Sequence, residues 1–297
     1  MAVFNFGSIN IDYVYNVEHF VAPGETLSST GFNAILGGKG ANQSVACAKA
    51  GLATYHVGGI GSGDLPMISP MHDAGVNMDN VQSFDDIPSG HAIIQVTPDA
   101  ENAILLFSGA NHQLNQERIE QALANANKED WVLLQNETNC IADIIETAHE
   151  KGIKIAFNPA PMTQSVVSLP LEKLELLIVN EIEAMQLTNT KTVEDAKAAL
   201  STTYPDLKLV LTLGKQGVCY LHQNTEYTCE AFKVDAVDTT AAGDTFIGYF
   251  LATYDATQDV QTALKSACAA SAISVTKKGA VPSIPAKQDV DTFLQQF

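Results

Sequence analysis

Arginine is nearly absent from this sequence: the chain has 16 basic residues among 297, of which fifteen are lysine and one, Arg118, is arginine. Against 34 Asp and Glu they leave a formal charge of -18. A chain so poor in basic charge lacks the clustered cationic face that displaces counterions from nucleic acid, and lacks equally a patch for an anionic membrane surface. No stretch approaches the roughly 18 apolar residues that cross a bilayer. The opening Met1–Phe6 has no basic region, long apolar run or cleavage pattern. Cysteine is sparse as well. Cys47, Cys140, Cys219, Cys229 and Cys268 are odd in number and form no CxxC pair. That speaks against a disulfide framework or a zinc site and predicts reduced thiols in the cytoplasm. Cys219 and Cys229 stand where they could pair across a hairpin, with free thiols in half-buried strands the favoured reading. The seven histidines occupy no metal-ligand spacing.

What is present points to a globular protein with a large core: 46% of residues are hydrophobic and 17% charged,. Short apolar runs read as buried strands: Val3–Phe6, Trp131–Gln135, Lys154–Asn158, Leu176–Asn180 and Leu209–Leu213. Helical patterns lie between them. Cys140–Lys151, for example, carries apolar residues at 141, 144, 145 and 148, one stripe at helical spacing. Alternation of this kind predicts an α/β fold, a mostly parallel sheet covered by helices on both faces. Ligands of such sheets gather at the carboxyl ends of the strands. Four runs end there in polar residues, at Gln135–Glu137, Asn158, Asn180 and Thr212. Residues 11–36 and 90–107 break the alternation with period-2 patterns, including a turn over Pro98–Asn102, and predict antiparallel excursions forming a small β lid. No linker, repeat or low-complexity tract divides residues 1–297, so one domain with an inserted lid is expected.

Two glycine-rich segments precede helices. Gly37-Gly38-Lys39-Gly40-Ala41-Asn42-Gln43 leads into a helix predicted over Ser44–Ala50, closed by Gly51. Glycines before a helix let backbone N–H groups approach a polar ligand, and Lys39 and Asn42 add a cation and an amide. The spacing fits neither a Walker A loop nor GxGxxG. The second segment, Val237 to Phe246, places Asp244 in the first turn of a long apolar helix. A carboxylate there can merely favour the helix dipole. Beside exposed amides it can also be a general base next to an anion hole, the pair that phosphoryl transfer to a hydroxyl requires. With a single arginine, such a site must hold phosphate with helix N-termini, a few lysines such as Lys39, and metal ions.

The segments Gly37–Asn42 and Asp238–Asp244 resemble the two signatures of the ribokinase family of carbohydrate kinases. Gly7–Asp12, Pro23–Thr26, Gly109–Asn111, Asn158–Pro161, Asn180–Glu183, Thr212–Gly217 and Lys278–Ser283 follow in family order over nearly the whole chain. The resemblance implies a three-layer α/β/α sandwich with a β-sheet lid. It also implies an ATP-dependent sugar kinase acting on the primary hydroxyl of D-ribose. Asp244 would be the base, with the amides of Ala241, Ala242 and Gly243 as anion hole. Asn10, Asp12, Gly38, Lys39, Asn42 and Glu137 would hold the sugar. Asn180 and Glu183 would stand near Mg²⁺ and the phosphates, with Thr212, Gly214, Gly217 and Cys268 bordering the nucleotide. Asp238, Thr240, Ser274, Lys277, Gly279 and Ser283 match a monovalent-cation site, commonly potassium. A homodimer through the lid is expected, Tyr13, Tyr15, Ile35 and Leu36 supplying apolar surface.

Three departures stand out. Ala241 replaces the usual Gly, Cys268 stands where His or Asn is common, and Gly61–Pro66 departs from Gly-x-Asp-x-x-Gly. The alternatives are a relative acting on fructose, deoxyribose or a nucleoside, or a catalytically idle sugar-binding protein. Arg118, far from either signature, reads as a surface residue.

Overall fold

The computed structural model describes residues 1–99, 101–223 and 225–297. Along the chain run β1 (Ala2–Phe6), β2 (Asn10–Asn16), β3 (Gly31–Gly37), α1 (Lys39–Lys49), β4 (Ala53–Gly61), α2 (Ser69–Asp73), β5 (Asn77–Phe84), β6 (Gly90–Val96) and β7 (Asn102–Phe107). Then come α3 (Gln116–Ala122), β8 (Trp131–Gln135), α4 (Ile141–Glu150), β9 (Lys154–Asn158), β10 (Leu176–Asn180), α5 (Glu181–Thr188) and α6 (Val193–Thr203). The chain ends with β11 (Lys208–Thr212), β12 (Val218–His222), β13 (Thr225–Cys229), α7 (Ala242–Thr257), α8 (Val260–Ser274) and α9 (Lys287–Leu294).

Nine strands form the main sheet, in the order β13-β12-β11-β10-β9-β8-β1-β4-β5. It is parallel from β5 to β11 and ends in the antiparallel β11–β12–β13. The apolar runs lack polar alternation because both faces are covered. Val3 and Leu133 face a core built with α1, α7 and α8, while Phe4, Phe6, Val132 and Leu134 face a second core with α3 and α4. The result is a three-layer α/β/α sandwich. The stripe Ile141, Ile144, Ile145 and Ala148 is the buried side of α4. Strand order reverses at β1, which has β4 on one side and β8 on the other; in parallel sheets a crevice opens at such a reversal,. Among the described residues no helix is long and apolar enough to cross a membrane.

The lid is a separate four-stranded sheet, β3-β2-β6-β7. Its two hairpins are antiparallel, but its central pair, β2 with β6, is parallel, from Asn10 opposite Gly90 to Asn16 opposite Val96. An all-antiparallel lid is thus corrected: both lid segments leave the body at one edge and run out side by side. The turn expected over 98–102 includes residue 100, outside the described residues. Leu36 is buried, not part of the exposed lid surface.

Helix α1 begins at Lys39, five residues earlier than the sequence pattern indicates. Its N-cap Gly38 has φ +93°, a conformation suited to glycine,. A Cβ on Gly40 would lie 2.3 Å from the Ser8 nitrogen, so the first helical turn rests directly on the end of β1. Glycine here permits close approach and does not mark a loop. Arg118 likewise differs from expectation. Its guanidinium is half-buried and donates from Nη2 to the carbonyls of Gly58 at 2.9 Å and Asn80 at 3.2 Å, bracing β4 and β5. All five cysteines are free thiols.

Candidate active site

The strand ends converge below the lid, where a cavity of about 210 Å³ is lined by Lys39, Asn180, Glu183, Thr212, Gly243 and Asp244 among others. Asp244 is buried in the first turn of α7. Both its carboxylate oxygens accept hydrogen bonds from α1: Oδ2 from Asn42 Nδ2 at 3.0 Å and Oδ1 from Gln43 Nε2 at 2.9 Å. The two helices can meet there because of Gly248, one turn along α7. A Cβ on Gly248 would fall 2.4 Å from the Ala46 Cβ, one turn along α1. Packed so closely, the helices bring amides and carboxylate into contact.

At the N-terminus of α7, Ala241 adopts a left-handed conformation with φ +59°, the position where a glycine would be unstrained,. The Ala242 N–H donates to the Thr239 carbonyl at 3.2 Å. Of the three amides expected to form an anion hole, Ala242 is therefore already engaged. Among the described residues the N–H groups of Ala241, Gly243 and Asp244 have no acceptor, and Gly243 is exposed beside the cavity. Such amides, at the positive end of a 16-residue helix, suit an anion,.

On the lid side, Asn10 is buried and its Oδ1 accepts from Asn111 Nδ2 at 2.7 Å. The Asp12 carboxylate lies over Gly37, where a Cβ would meet its Oδ2 at 2.0 Å. Burial, and then the charge of Glu137, push the Asp12 carboxyl up to about 7. Glu137 accepts from the Ser8 hydroxyl and, at 3.0 Å, from the Lys39 N–H at the start of α1. Burial raises its pKa, against the pull of Lys39 and these donors. Lys39 stands among carboxylates. Asp244 foremost, then Glu137 and Glu183, raise its pKa in spite of burial, so it stays an ammonium. The Oδ1 of Asn42 is buried without a donor among the described residues, an acceptor open to a hydroxyl,.

On the opposite side, Asn180 and Glu183 form a capping box on α5. Asn180 Oδ1 accepts the Glu183 N–H at 2.8 Å, and Glu183 Oε2 accepts the Asn180 N–H at 3.0 Å. One Glu183 oxygen remains. Burial raises this carboxyl's pKa, the Asn180 N–H and Lys39 opposing it and Asp244 adding to it. This free oxygen, lining the same cavity as Asp244, would suit a hard divalent cation,. Thr212 lines the cavity, whereas Gly214, Gly217 and Cys268 do not. Gly214 (φ +55°) and Gly217 (φ +102°) shape the turn from β11 to β12. A Cβ on Gly217 would lie 2.1 Å from the Cys229 carbonyl oxygen. Cys268 is buried in the α8 core beside Cys229, and this neighbouring thiol lowers the Cys229 pKa against the effect of burial.

Asp238 ties two loops together. Its Oδ1 accepts from the Thr240 N–H and hydroxyl, and its Oδ2 from the Gly279 N–H at 2.8 Å. Burial would raise this carboxyl, but the Thr240 and Gly279 donors and the Lys278 charge hold it below the usual range. The Ser274 carbonyl accepts the Lys277 N–H, and the Ser283 hydroxyl donates to the Ala280 carbonyl. The structure thus joins Asp238, Thr240 and Gly279 directly and leaves Ser274, Lys277 and Ser283 in the adjoining turns. One carboxylate among neutral oxygens is a donor set that suits a hard monovalent cation.

Ser8, Gln43, Asn111 and Gly248 were not singled out by sequence. Ser8 holds Glu137; Asn111 holds Asn10 and also accepts the Ile9 N–H at 2.9 Å. Ser8 and Asn111 lie in short connections and Gln43 inside α1, where single buried polar residues give no periodic signal. Ser8, Asn111 and Gln43 nevertheless lie within motifs noted above.

The chain is 35% identical to a ribokinase of Haemophilus influenzae, over 97% of each chain, and 31% identical to a deoxyribokinase of Salmonella typhi, also over 97% of each. A solved structure of Arabidopsis thaliana ribokinase complexed with ribose and ATP superposes with a TM-score of 0.89 at 28% identity, covering 99% of both chains. The family model described as pfkB family carbohydrate kinase matches residues 2–287, and the chain belongs to the pfkB family of carbohydrate kinases.

Proposed function

We propose that this protein is an ATP-dependent ribokinase that converts D-ribose to ribose 5-phosphate. The observation that carries the reading is Asp244: a carboxylate held by two amides, beside unengaged N–H groups at the head of α7. A sugar lying between the lid and α1 would present hydroxyls to Asn10, Asp12, Glu137, the Lys39 ammonium, Gly38 and the open Asn42 Oδ1. Acid and amide groups pair well with vicinal hydroxyls. Its primary hydroxyl would reach Asp244, which would take the proton as the oxygen attacks the γ-phosphorus of ATP and the bond from that phosphorus to the β–γ bridging oxygen breaks, releasing ADP. The amides of Ala241 and Gly243, with Lys39, hold the charge on the transferred phosphoryl group. Glu183, with one carboxylate oxygen free, would help hold Mg²⁺, which would supply positive charge against that of the phosphates,. Asp238 and its adjoining loops, through Thr240 and Gly279, would keep the α7 N-terminus in place with a potassium ion.

The lid would exclude water from this reaction. Its outer surface also supports a homodimer. Phe32, Ile93, Leu105 and Phe107 are exposed on the face of the lid sheet opposite Asp12, Leu105 by 67%. An apolar patch of this kind is commonly an interface. A deoxyribose kinase is the second reading, favoured by the Salmonella typhi relative. A coupled ADP assay over ribose, deoxyribose, fructose and nucleosides separates them: turnover greatest on ribose is expected, and little turnover on ribose would overturn the choice.

A further inference from the structure

Beneath the carboxylate of Asp244 runs a chain of buried amides. Gln43 is fully buried; its Nε2 donates to Asp244 Oδ1 at 2.9 Å, and its Oε1 accepts from Gln135 Nε2 at 2.8 Å. Gln135 Nε2 also donates to Asn5 Oδ1 at 2.8 Å. Asn5 Nδ2 in turn donates to the Gly40 carbonyl and to Ser44 Oγ, both at 2.8 Å. Ser44 Oγ pairs with His56 Nδ1 at 2.8 Å, and His56 Nε2 with the Gly7 carbonyl at 3.1 Å.

The chain has a direction. The Gly7 carbonyl only accepts, so His56 carries its proton on Nε2 and Nδ1 accepts from Ser44. Ser44 then accepts from Asn5, which turns the Asn5 oxygen toward Gln135. Gln135 consequently offers N–H groups to both Asn5 and Gln43, leaving its own Oε1 buried without a donor. Reversing that amide would crowd its oxygen against those of Asn5 and Gln43. Gln43 therefore meets Gln135 with oxygen and Asp244 with N–H. At every link the donor is fixed by the strand residues below, and the last donor is aimed at Asp244.

We propose that Gln43 is a positioning residue that fixes the plane of the Asp244 carboxylate, with Gln135 locking its amide. The inference rests on the reading of Asp244 as the base. Asn42 grips Oδ2 and Gln43 grips Oδ1, so the pair sets which lone pair faces the sugar hydroxyl. With Gln43 gone, the carboxylate keeps one anchor and rotates about it.

The test is a double-substitution cycle with Gln43→Met and Asp244→Asn, read by turnover on D-ribose and by ribose binding in calorimetry. Gln43→Met alone is expected to lower kcat by about 10- to 100-fold and to change ribose affinity by less than about threefold. In the Asp244→Asn background the same change is expected to alter residual turnover by less than about twofold, because the group it serves is already lost. An equal loss in both backgrounds, with Asp244→Asn itself strongly impaired, would assign Gln43 to the core alone and overturn the inference. Unchanged turnover in Asp244→Asn would instead remove the base reading on which it rests. Should Gln43→Met not fold, Gln135→Met leaves Gln43 in place. A kcat loss of about three- to tenfold that vanishes with Asp244→Asn supports the inference, and a loss equal in both backgrounds overturns it.

Discussion

Replacing Gly248 with alanine should damage catalysis from a residue that touches no substrate. The added Cβ would stand 2.4 Å from Ala46 Cβ and 2.6 Å from the Cys47 nitrogen. Ordinary carbon contacts are about 3.5–4.0 Å, so α1 and α7 must part by roughly 1 Å. The hydrogen bonds from Asn42 and Gln43 to Asp244, at 3.0 and 2.9 Å, lie one turn away on the same two helices. Parting by that amount carries both beyond normal hydrogen-bond length. Overpacking costs about 1–3 kcal/mol of stability, and a displacement of about 1 Å at a reacting group can cost about 10²-fold in rate. The expected result for Gly248→Ala is a folded protein, less stable in urea by about 1–3 kcal/mol, with kcat down about 10- to 100-fold. Denaturation curves and a coupled ADP assay at saturating ribose and ATP measure both. A folded variant whose kcat stays within about twofold of the parent would refute the link between helix spacing and the base.

Asp12, titrating near 7, is protonated at low pH and then can no longer accept two hydroxyls,. Ribose affinity measured by calorimetry should fall as pH drops from 8 to 6, and Asp12→Asn should flatten the profile. The same shift bears on stability. The folded carboxyl titrates above the unfolded value of 3.8, so its contribution is fully present below that value and is lost as pH rises through about 7,. Asp12→Asn should therefore raise the melting temperature more at pH 8 than at pH 4, by about 2–4 °C. Arg118→Met should cost about 1.5–3 kcal/mol in denaturant, the range for lost hydrogen bonds from a charged group, and leave kcat unchanged,. Leu105→Glu, on the exposed lid strand, should shift the sedimentation profile from dimer to monomer; an unaltered profile would place any interface elsewhere.

The sandwich was legible because its strands are buried on both faces. Trp131–Gln135 and Leu176–Asn180 read as continuous apolar runs, and their polar last residues mark the edge where the cavity opens. The lid was legible as period-2 sequence, but period says nothing of strand direction, so the parallel β2–β6 pair was not. Glycine carried two meanings that sequence does not separate. Gly38 and Gly217 have positive φ, while Gly40 and Gly248 are there for close backbone approach, and reading Gly40 as a loop residue displaced the start of α1. The chemistry-bearing Asp244, Lys39 and Asn42 stood out as polar groups in glycine-rich signatures. Gln43, Ser8 and Asn111 act by contacts to residues 129, 102 or some 200 positions away, which no local pattern records. The lone arginine proved a brace between strands. With Arg118 engaged there, the proposed phosphate site would rest on helix amides and Lys39, in keeping with a chain of charge -18.

The account turns on Asp244 as the group that takes the proton, and the Asp244→Asn variant tests it most directly. Asparagine keeps the shape of the side chain and removes the base. Turnover on D-ribose, followed by ADP release, should fall by at least about 10²-fold, in the range for losing a positioned base, while calorimetry shows ribose still bound. Turnover equal to that of the parent protein would contradict the account.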